Sequence, residues 1–337
     1  MNSKLSIDRI KSTPFFFIIG RPRSGTTLLR TLFDAHPNVS IPIESPLIMA
    51  NYVKYNKIEN WTKEDILSFY NDVLKTRKFD KWTIDRDKLK TELLNCDGKV
   101  SYFDLCKIVY VNYISFYEKK EIGLIGDKNP LYSIKVDRLL KLFPDAKYLH
   151  ITRDYRDHIL SMKRTQLFNS AIHILAYRWK YSAKMIFKLK NKFPNSIYTI
   201  RYEDLVENTA EELKTICKFL NIKYESSVLD FHKIKDKIMK VYENDEGMQR
   251  FHGNLYEPID PKRLYLWKNK MTEKDIKIAD MVIGKFAEKS GYERKYKNLD
   301  FFLFLKLIPG LFYQRLIYFQ TYLLKKMPYF IRKRFRK

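Results

Sequence analysis

The sequence predicts an α/β fold in which a doubly wound parallel sheet is flanked by helices. Three observations support this prediction. Short apolar runs are bounded by turn residues, helical segments separate these runs, and a loop rich in Gly, Pro and Ser follows the first run. A run that is apolar throughout is typical of a strand buried on both faces of a parallel sheet. Strands that alternate with helices favour right-handed crossover connections.

The elements follow from these patterns in chain order. The first strand is predicted at 15–19, where the sequence reads FFFII. Further strands are predicted at 122–125, 147–152 and 196–200. A helix is predicted at 26–36, because its leucines share one face with Phe33. Other helical patterns cover 62–119, 130–143, 154–164, 171–193, 208–220 and 272–291, and a loop is predicted at 244–262.

Charge and composition restrict the classes of protein to which the chain can belong. Its 337 residues include 64 Lys+Arg and 39 Asp+Glu, a net charge of +25, which favours an anionic partner. An aromatic content of 15% excludes a disordered chain. Three cysteines without a C-x-x-C pair argue against a disulfide framework, and they are expected to be buried. The six histidines are dispersed, so no metal site is predicted.

The chain is predicted to contain an α/β domain at 1–298 and a basic, amphipathic C-terminal tail at 299–337. From 301 onwards there are nine Lys or Arg residues and no Asp or Glu. Pro309 and Gly310 are expected to interrupt this stretch. An amphipathic helix then follows at 311–326, and five of the six residues at 332–337 are basic.

The tail favours contact with an anionic membrane surface, because apolar side chains insert into lipid and basic residues attract its headgroups. Packing of the tail on the domain stays open as an alternative. RNA binding ranks last, since no fold signature for nucleic-acid binding accompanies the tail. Residues 1–13 lack the apolar segment of a signal peptide, and no uncharged apolar run reaches the roughly 18 to 20 residues of a spanning helix. We therefore expect a cytoplasmic protein, peripheral at the cytoplasmic face of the membrane.

The loop after the first strand, Gly20–Thr27 (GRPRSGTT), nearly matches the ATP-binding motif G-x-x-x-x-G-K-[ST]. Thr26 occupies the position of the motif's lysine, and the cation is Arg23 inside the loop. No predicted strand ends in an acidic residue that would hold Mg²⁺. Backbone N–H groups of 23–27 can still cradle a phosphate at the start of the next helix. The opening is therefore P-loop-like without the apparatus that binds a metal and a triphosphate.

A second anion-binding element is predicted after the strand at 147–152. Arg153 follows this strand directly, at the edge where open α/β sheets bind ligands. Ser161 lies two helical turns further along the next helix. A guanidinium and a hydroxyl in this arrangement are suited to bind a phosphate group.

Together these motifs resemble those of sulfotransferases that use 3′-phosphoadenosine 5′-phosphosulfate (PAPS). The family's signature P-[RK]-S-G-T-T stands here at Pro22–Thr27, and the segment LLRTLFDAHPNVSIPIESP is similar to the tyrosylprotein branch and related bacterial enzymes. The resemblance implies PAPS as donor, adenosine 3′,5′-bisphosphate (PAP) as product, and no metal. It also implies that the 5′-phosphosulfate is held by Arg23, Ser24, Gly25, Thr26 and Thr27, and that Arg23 is a catalytic residue in contact with the moving sulfuryl group.

The resemblance assigns further contacts to the rest of the nucleotide. Outside the loop these residues are Arg153, Ser161, Tyr202, Lys262 and Arg263. The Arg–Ser pair, eight residues apart, matches the family's 3′-phosphate motif, and the tyrosine corresponds to one near the adenine. The last two residues belong to a late segment, including 252–255 (HGNL), that resembles the loop closing over the 3′-phosphate.

Two further residues resemble the catalytic groups of the tyrosylprotein branch. Glu44 follows Arg23 by 21 residues, the offset of that branch's glutamate base, although one Glu stands here where the branch often has two. Lys128, in Gly126–Pro130, resembles a lysine that stabilises the transferring group. His36 is the rival base, but its place at the end of a helix favours a capping role.

The predicted function is sulfuryl transfer from PAPS to an acceptor hydroxyl by in-line attack, with Glu44 as general base. The tail favours a lipophilic or lipid-linked acceptor such as a sterol, a glycolipid or a lipid-linked glycan. A tyrosine acceptor is less favoured, because no targeting segment directs the chain to a secretory lumen. The region 51–120 is expected to form the acceptor lid. An ATP-dependent P-loop kinase and a non-enzymatic basic protein that binds membranes or RNA stay open as alternatives.

Overall fold

A parallel sheet of five strands forms the centre of the molecule. The protein is seen in a computed structural model, which describes residues 7–96, 98, 100–165, 170–236 and 257–326. The strands are β1 (Phe15–Gly20), β2 (Val39–Ser40), β3 (Leu124–Lys128), β4 (Lys147–Thr152) and β5 (Ile197–Arg201). They lie in the order β2-β3-β1-β4-β5, and all neighbouring pairs are parallel. The predicted α/β fold is confirmed.

Helices cover both faces of the sheet. Before β4, the α-helices are α1 (Ile7–Ser12), α2 (Thr26–Asp34), α3 (Leu47–Tyr55), α4 (Lys63–Leu74), α5 (Arg86–Leu94), α6 (Tyr102–Val111) and α7 (Val136–Leu142). After β4 the described residues form α8 (Tyr155–Arg164), α9 (Ile172–Lys192), α10 (Tyr202–Glu207), α11 (Thr209–Leu220), α12 (Trp267–Lys270), α13 (Glu273–Ile283), α14 (Phe286–Lys289) and α15 (Phe301–Lys326). Short 3₁₀ helices occur at Phe79–Lys81, Pro130–Ile134, Ser226–Ile234 and Pro261–Arg263.

The composition of β1 explains why the sheet is buried on both faces. Phe15, Phe17 and Ile19 pack into a core with α3, α4, α5 and α6. The alternating residues Phe16 and Ile18 pack into a second core with α2, α10 and α11. Because successive side chains of a strand point to opposite faces, an entirely apolar strand supplies both cores at once.

The strand order creates a switch point beside β1. β3 lies on one side of β1 and β4 on the other, so the loops that follow β1 and β4 leave the sheet next to each other. In open α/β sheets, ligands bind outside the carboxyl ends of the strands at such a point. The loop at 21–25 and the start of α8 therefore meet where a ligand site is expected.

Several boundaries differ from those predicted. The strand predicted at 122–125 is β3, which extends further, over Asp127 and Lys128, and both of these charged side chains are buried. The helix predicted from Pro130 begins as a 3₁₀ helix and becomes α-helical only at α7. The region 62–119 contains three separate helices, α4, α5 and α6, and neither β2 nor α3 was predicted. All three cysteines are buried, as expected.

The C-terminal helix α15 also corrects a prediction. It runs without interruption from Phe301 to Lys326 and contains Pro309 in its interior. Gly310, which was expected to help end a helix, instead allows α9 to approach closely: a Cβ built on Gly310 would lie 2.2 Å from Nε2 of His173. Pro309 and Gly310 would interrupt an isolated helix. Here α15 continues through them, and it contacts α9 at this point.

By length and composition alone, Phe301–Leu324 is long and apolar enough to cross a membrane, with a mean hydropathy of 1.3 over its most apolar part. The sequence prediction missed this property because it considered only uncharged runs, whereas the segment includes Lys306 and Arg315. The basic residues at 332–337 lie outside the described residues.

Candidate active site

A cleft of about 480 Å³ lies at the switch point of the sheet. The loop after β1 and the start of α2 form one wall, and the start and end of α8 form another. Its lining residues are Arg23, Gly25, Thr26, Thr27, Leu28, Arg153, Ser161, Arg164, Thr165, Tyr202, Glu257, Pro258, Ile259, Asp260, Arg263 and Leu266. Most residues predicted to bind the nucleotide therefore line this cleft.

The backbone of the loop is shaped by two residues with positive φ. Gly25, the N-cap of α2, has φ 95°, and a Cβ at this position would lie 2.3 Å from Cδ2 of Tyr202. Only glycine fits this conformation and this contact without strain. Arg23 has φ 71°, a conformation that a non-glycine residue adopts rarely. Such an outlier is common at binding sites, where the surrounding structure enforces it.

The side chain of Arg23 connects the loop to α8. Its Nε donates a hydrogen bond to Oγ of Ser161 at 3.2 Å, across 138 residues of sequence. Burial lowers the pKa of Arg23, and the positive charges of Arg153 and Arg164 lower it further. Three guanidinium groups therefore lie close enough to repel one another, and a bound anion would relieve this repulsion.

Arg153 is held between two elements of the cleft. Its guanidinium lies 4.6 Å from the ring centroid of Tyr202, and its Nη2 donates to the backbone carbonyl of Arg263 at 3.0 Å. Its Nε is buried and makes no hydrogen bond. A buried donor without a partner is unusual in a folded protein and is suited to bind a ligand atom.

The late segment that carries Arg263 is attached to the start of α8. The backbone N–H of Trp267 donates to Oδ1 of Asp157 at 2.9 Å, and the guanidinium of Arg156 lies 3.6 Å from the centroid of the Trp267 ring. These contacts place Arg263 in the cleft lining. Lys262, by contrast, is exposed and is not a lining residue. Residues 252–255, predicted to belong to the same segment, lie outside the described residues.

Ser24 faces away from the cleft. It lines a small buried cavity behind the loop together with Arg21 and His150. Its backbone N–H donates to the carbonyl of Arg21 at 3.2 Å, and its Oγ has no hydrogen-bond partner. The N–H groups that face a ligand are therefore fewer than the sequence suggests, because the Ser24 N–H closes the loop itself.

Two of the three predicted catalytic residues, Glu44 and Lys128, form an ion pair at the carboxyl end of β3. Nζ of Lys128 lies 2.8 Å from Oε2 of Glu44, and Nζ of Lys78 lies 3.2 Å from Oε1. Neither Glu44 nor Lys128 is among the residues that line the cleft. The sequence prediction treated them separately, and it did not identify Lys78, for which no motif provided a signal.

The positive charges around Glu44 keep its carboxylate ionised. Burial alone would raise the pKa of Glu44, but the charges of Lys128 and Lys78 outweigh it and lower the pKa to about 2. Burial lowers the pKa of Lys128, and Glu44 opposes that change. Burial also raises the pKa of the neighbouring Asp127 to about 8. At neutral pH, Glu44 is therefore an ionised carboxylate that is paired with the side chains of Lys128 and Lys78.

His36, the rival base, has a structural role in this arrangement. Its Nε2 is 2.9 Å from the carbonyl oxygen of Lys223, and its Nδ1 accepts the backbone N–H of Asn38 at 3.2 Å. Both ring nitrogens are therefore used by backbone groups outside α2, so the ring links the chain after this helix to Lys223 and does not cap the helix. Within the described part of the chain, no group of three or more His, Cys, Asp or Glu residues could hold a metal ion.

The sequence analysis also missed residues in the cleft. Arg164 and Thr165 line it at the end of α8. Arg164 could have been found from its spacing. It follows Ser161 by three residues, and residues three apart are neighbours on the surface of a helix. Glu257 and Asp260 are the acidic lining residues, and both are engaged: Glu257 pairs with Lys235, and Asp260 accepts the backbone N–H of Lys262.

Comparison with known proteins agrees with this arrangement. Residues 14–226, more than half of the chain, match the Sulfotransferase family. Protein-tyrosine sulfotransferase 1 of Danio rerio is 25% identical over 291 residues, which cover 84% of this chain and 73% of that protein. Protein-tyrosine sulfotransferase 1 of Homo sapiens is 26% identical over 290 residues, which cover 84% and 70%.

A solved structure supports the fold. The sulfotransferase domain from the Synechococcus PCC 7002 olefin synthase matches with a TM-score of 0.56 and 20% identity, covering 83% of this chain and 95% of that one. At this identity the likeness concerns the fold alone. The family match covers β1 to β5, including the loop and the Arg153–Ser161 element. The chain therefore belongs to the sulfotransferase family and is a sulfotransferase enzyme, with curated relatives in the protein-tyrosine branch.

Proposed function

We propose that the protein transfers the sulfuryl group of PAPS to a hydroxyl oxygen of its acceptor and releases PAP. The observation that carries this proposal is the contact between Arg23 and Ser161, which joins the loop to α8 inside a cleft with excess positive charge. Because the two side chains touch, a single ligand can reach both the N-terminus of α2 and the Arg153–Ser161 pair. A nucleotide with phosphates at both ends of its ribose fits that requirement.

The residues present are suited to this nucleotide. Arg23, Gly25, Thr26 and Thr27 would hold the 5′-phosphosulfate, since oriented N–H groups and a helix N-terminus favour anions. Arg153 and Ser161 would hold the 3′-phosphate, and the unpartnered Nε of Arg153 supports this assignment. Tyr202 would lie beside the adenine, and Arg263 would approach the 3′-phosphate from the late segment, whereas Lys262 lies outside the cleft lining. When bound, PAPS supplies a sulfuryl group on a phosphate leaving group.

Glu44 is proposed as the general base that takes the proton of the acceptor hydroxyl. A carboxylate with a pKa of about 2 is always ionised at neutral pH, but it is a weak base. Its affinity for a proton rises once Lys128 and Lys78 turn toward another anion, because their charges are what lowers its pKa. Lys128 and Arg23 would meanwhile stabilise negative charge on the transferring group.

The alternative to PAPS as the nucleotide is ATP, as used by a P-loop kinase. Measuring the affinities for both kinds of nucleotide decides between them. We expect calorimetry to show tighter binding of PAP than of ADP or of ATP with Mg²⁺, because Thr26 replaces the P-loop lysine while Arg153 and Ser161 remain for a 3′-phosphate. Ser161→Ala should weaken PAP binding about 10-fold or more, the effect of losing a hydrogen bond to a charged group. The same change should leave ADP binding nearly unaltered, since ADP has no 3′-phosphate.

The matched control is Ser227→Ala, which removes the hydroxyl of an exposed serine outside the cleft lining. It should bind PAP like the unmodified protein. Tighter binding of ATP with Mg²⁺ than of PAP would overturn the proposed donor and favour kinase chemistry.

For the acceptor, we propose a lipophilic or lipid-linked hydroxyl compound. The support is the exposed apolar side of α15, which would bring the enzyme close to such molecules. A peptide tyrosine is the second candidate, favoured by the names of the curated relatives. With PAPS labelled at sulfur, we expect label to enter the organic phase from dispersed sterols or glycolipids. Transfer to a tyrosine-containing peptide, with none to the lipids, would establish the second candidate instead.

A further inference from the structure

One side of the helix α15 packs against the rest of the domain. Leu307 and Gln314 on this side are 7% and 2% exposed, and Nε of Arg178 in α9 donates to Oε1 of Gln314 at 3.0 Å. Tyr318 stacks on Tyr181 of α9, with ring centroids 3.9 Å apart and an angle of 9° between the planes. These contacts fix the helix against the N-terminal half of α9.

The opposite side, here called the outer face, carries a continuous row of exposed apolar side chains. They recur every three or four residues, which on a helix places them in one row, and the row is about 33 Å long at 1.5 Å per residue. Each of these side chains is at least 40% exposed. The outer face consists of Phe301, Phe302, Leu305, Ile308, Phe312, Tyr313, Leu316, Phe319, Tyr322 and Leu323.

Exposure on this scale indicates a binding surface, since soluble proteins rarely leave contiguous apolar patches of such length uncovered. The charge around the row identifies the kind of partner. Lys306 and Arg315 are exposed beside it, and the sequence from 301 to 337 contains nine basic and no acidic residues. An apolar row flanked by Lys306 and Arg315 is complementary to a surface that is apolar below and anionic above, which is the surface of an anionic bilayer.

We propose that the outer face of α15 binds the surface of an anionic membrane, with the helix lying along the surface and not crossing it. The length and composition of the helix would also permit a span. A span would, however, separate Gln314 from Arg178 and Tyr318 from Tyr181, and it would place Lys306 and Arg315 in hydrocarbon. When the helix lies along the surface, Gln314 and Tyr318 keep their contacts with α9, and Lys306 and Arg315 reach the lipid headgroups. The proposal does not depend on the identity of the sulfuryl donor.

The test is co-sedimentation of the full chain with lipid vesicles, which needs no enzymatic activity. The protein should sediment with vesicles that contain phosphatidylglycerol and remain in solution with vesicles of phosphatidylcholine alone. Binding should weaken as salt is raised, because the basic residues act by electrostatic attraction. The double substitution Phe312→Glu with Phe319→Glu should reduce the vesicle partition coefficient about 100-fold, since each phenylalanine loses its insertion into the lipid.

The matched control is Ile114→Glu, which adds the same charge at an apolar side chain that is 53% exposed but lies outside α15. It should sediment like the unmodified protein. Circular dichroism and PAP calorimetry on the double variant verify that the domain is folded and its nucleotide site intact, so that failure of the sulfotransferase proposal is recognised separately.

Three outcomes would overturn the proposal. The first is unchanged sedimentation of the double variant. The second is protein that stays with membranes after alkaline carbonate and is released only by detergent, which would show that α15 spans the bilayer. The third is a dimer in the absence of lipid that the double variant converts to a monomer, together with no vesicle binding, which would assign the outer face to a second copy of the chain.

Discussion

Replacement of Glu44 by glutamine is expected to lower kcat about 10²–10⁴-fold, the range associated with loss of a general base. Glutamine keeps the shape of the side chain but cannot accept the acceptor's proton. PAP affinity, measured by calorimetry, should stay near that of the unmodified protein, because Glu44 does not line the cleft proposed to bind the nucleotide. Single-turnover transfer assays beside that calorimetry would separate chemistry from binding.

The pH dependence provides a second readout for Glu44. Its pKa of about 2 means that the carboxylate is ionised above that value and loses its charge only as the pH falls through it. In the unmodified protein, kcat/KM should therefore show no acid limb between about pH 5 and pH 8. The control Glu59→Gln alters an exposed glutamate elsewhere and should leave kcat unchanged. Near-normal turnover of Glu44→Gln would assign the proton transfer to another group.

Replacement of Arg23 by alanine is expected to have an effect of similar size on both chemistry and binding. The guanidinium is the positive group within the loop itself, and removing one such stabilising group from an active site costs about 10²–10³ in kcat. PAP binding should also weaken, because the contact with Ser161 that joins the loop to α8 is lost. Steady-state kinetics and calorimetry on the same preparation measure the two effects.

Arg23→Lys distinguishes the charge from the geometry of the guanidinium. Lysine keeps the charge but cannot reproduce the planar arrangement of donors, so it should recover only part of the lost rate. Arg86→Ala, which removes an exposed arginine outside the cleft, should have no effect on either measurement. Full activity in Arg23→Ala would show that the loop binds its ligand through backbone groups alone.

The sheet was largely predictable because its strands have distinctive compositions. β1, β4 and β5 are short, apolar or β-branched, and flanked by turn residues, so local pattern and tertiary structure agree. β2 was missed because two residues carry too little pattern to identify a strand. The end of β3 was missed because Asp127 and Lys128 are charged, and only the fold shows that they are buried beside Glu44.

The residues of the cleft were predictable to a greater extent than the cluster around Glu44. Spacing within the two motifs indicated Arg23, Arg153 and Ser161, and the fold brings them together. The pairing of Glu44 with Lys128 joins residues 84 positions apart, and their spacing in sequence provides no information about that contact. The continuity of α15 through Pro309 was likewise unpredictable, because it accompanies contact with α9.

The position of β1 in the sheet has a consequence for biosynthesis. Of the five described strands, β1 is translated first but lies at the centre of the sheet, since Phe15 pairs with Ile125 and Phe16 with Lys147. At about 5–20 residues per second, those partners are translated roughly 5–25 s later. During that interval FFFII is an unpaired apolar segment without proline, the composition of an aggregation-prone sequence. We therefore expect the yield of folded protein to depend on the translation rate and on chaperones that shield the nascent strand before the loop at 21–25.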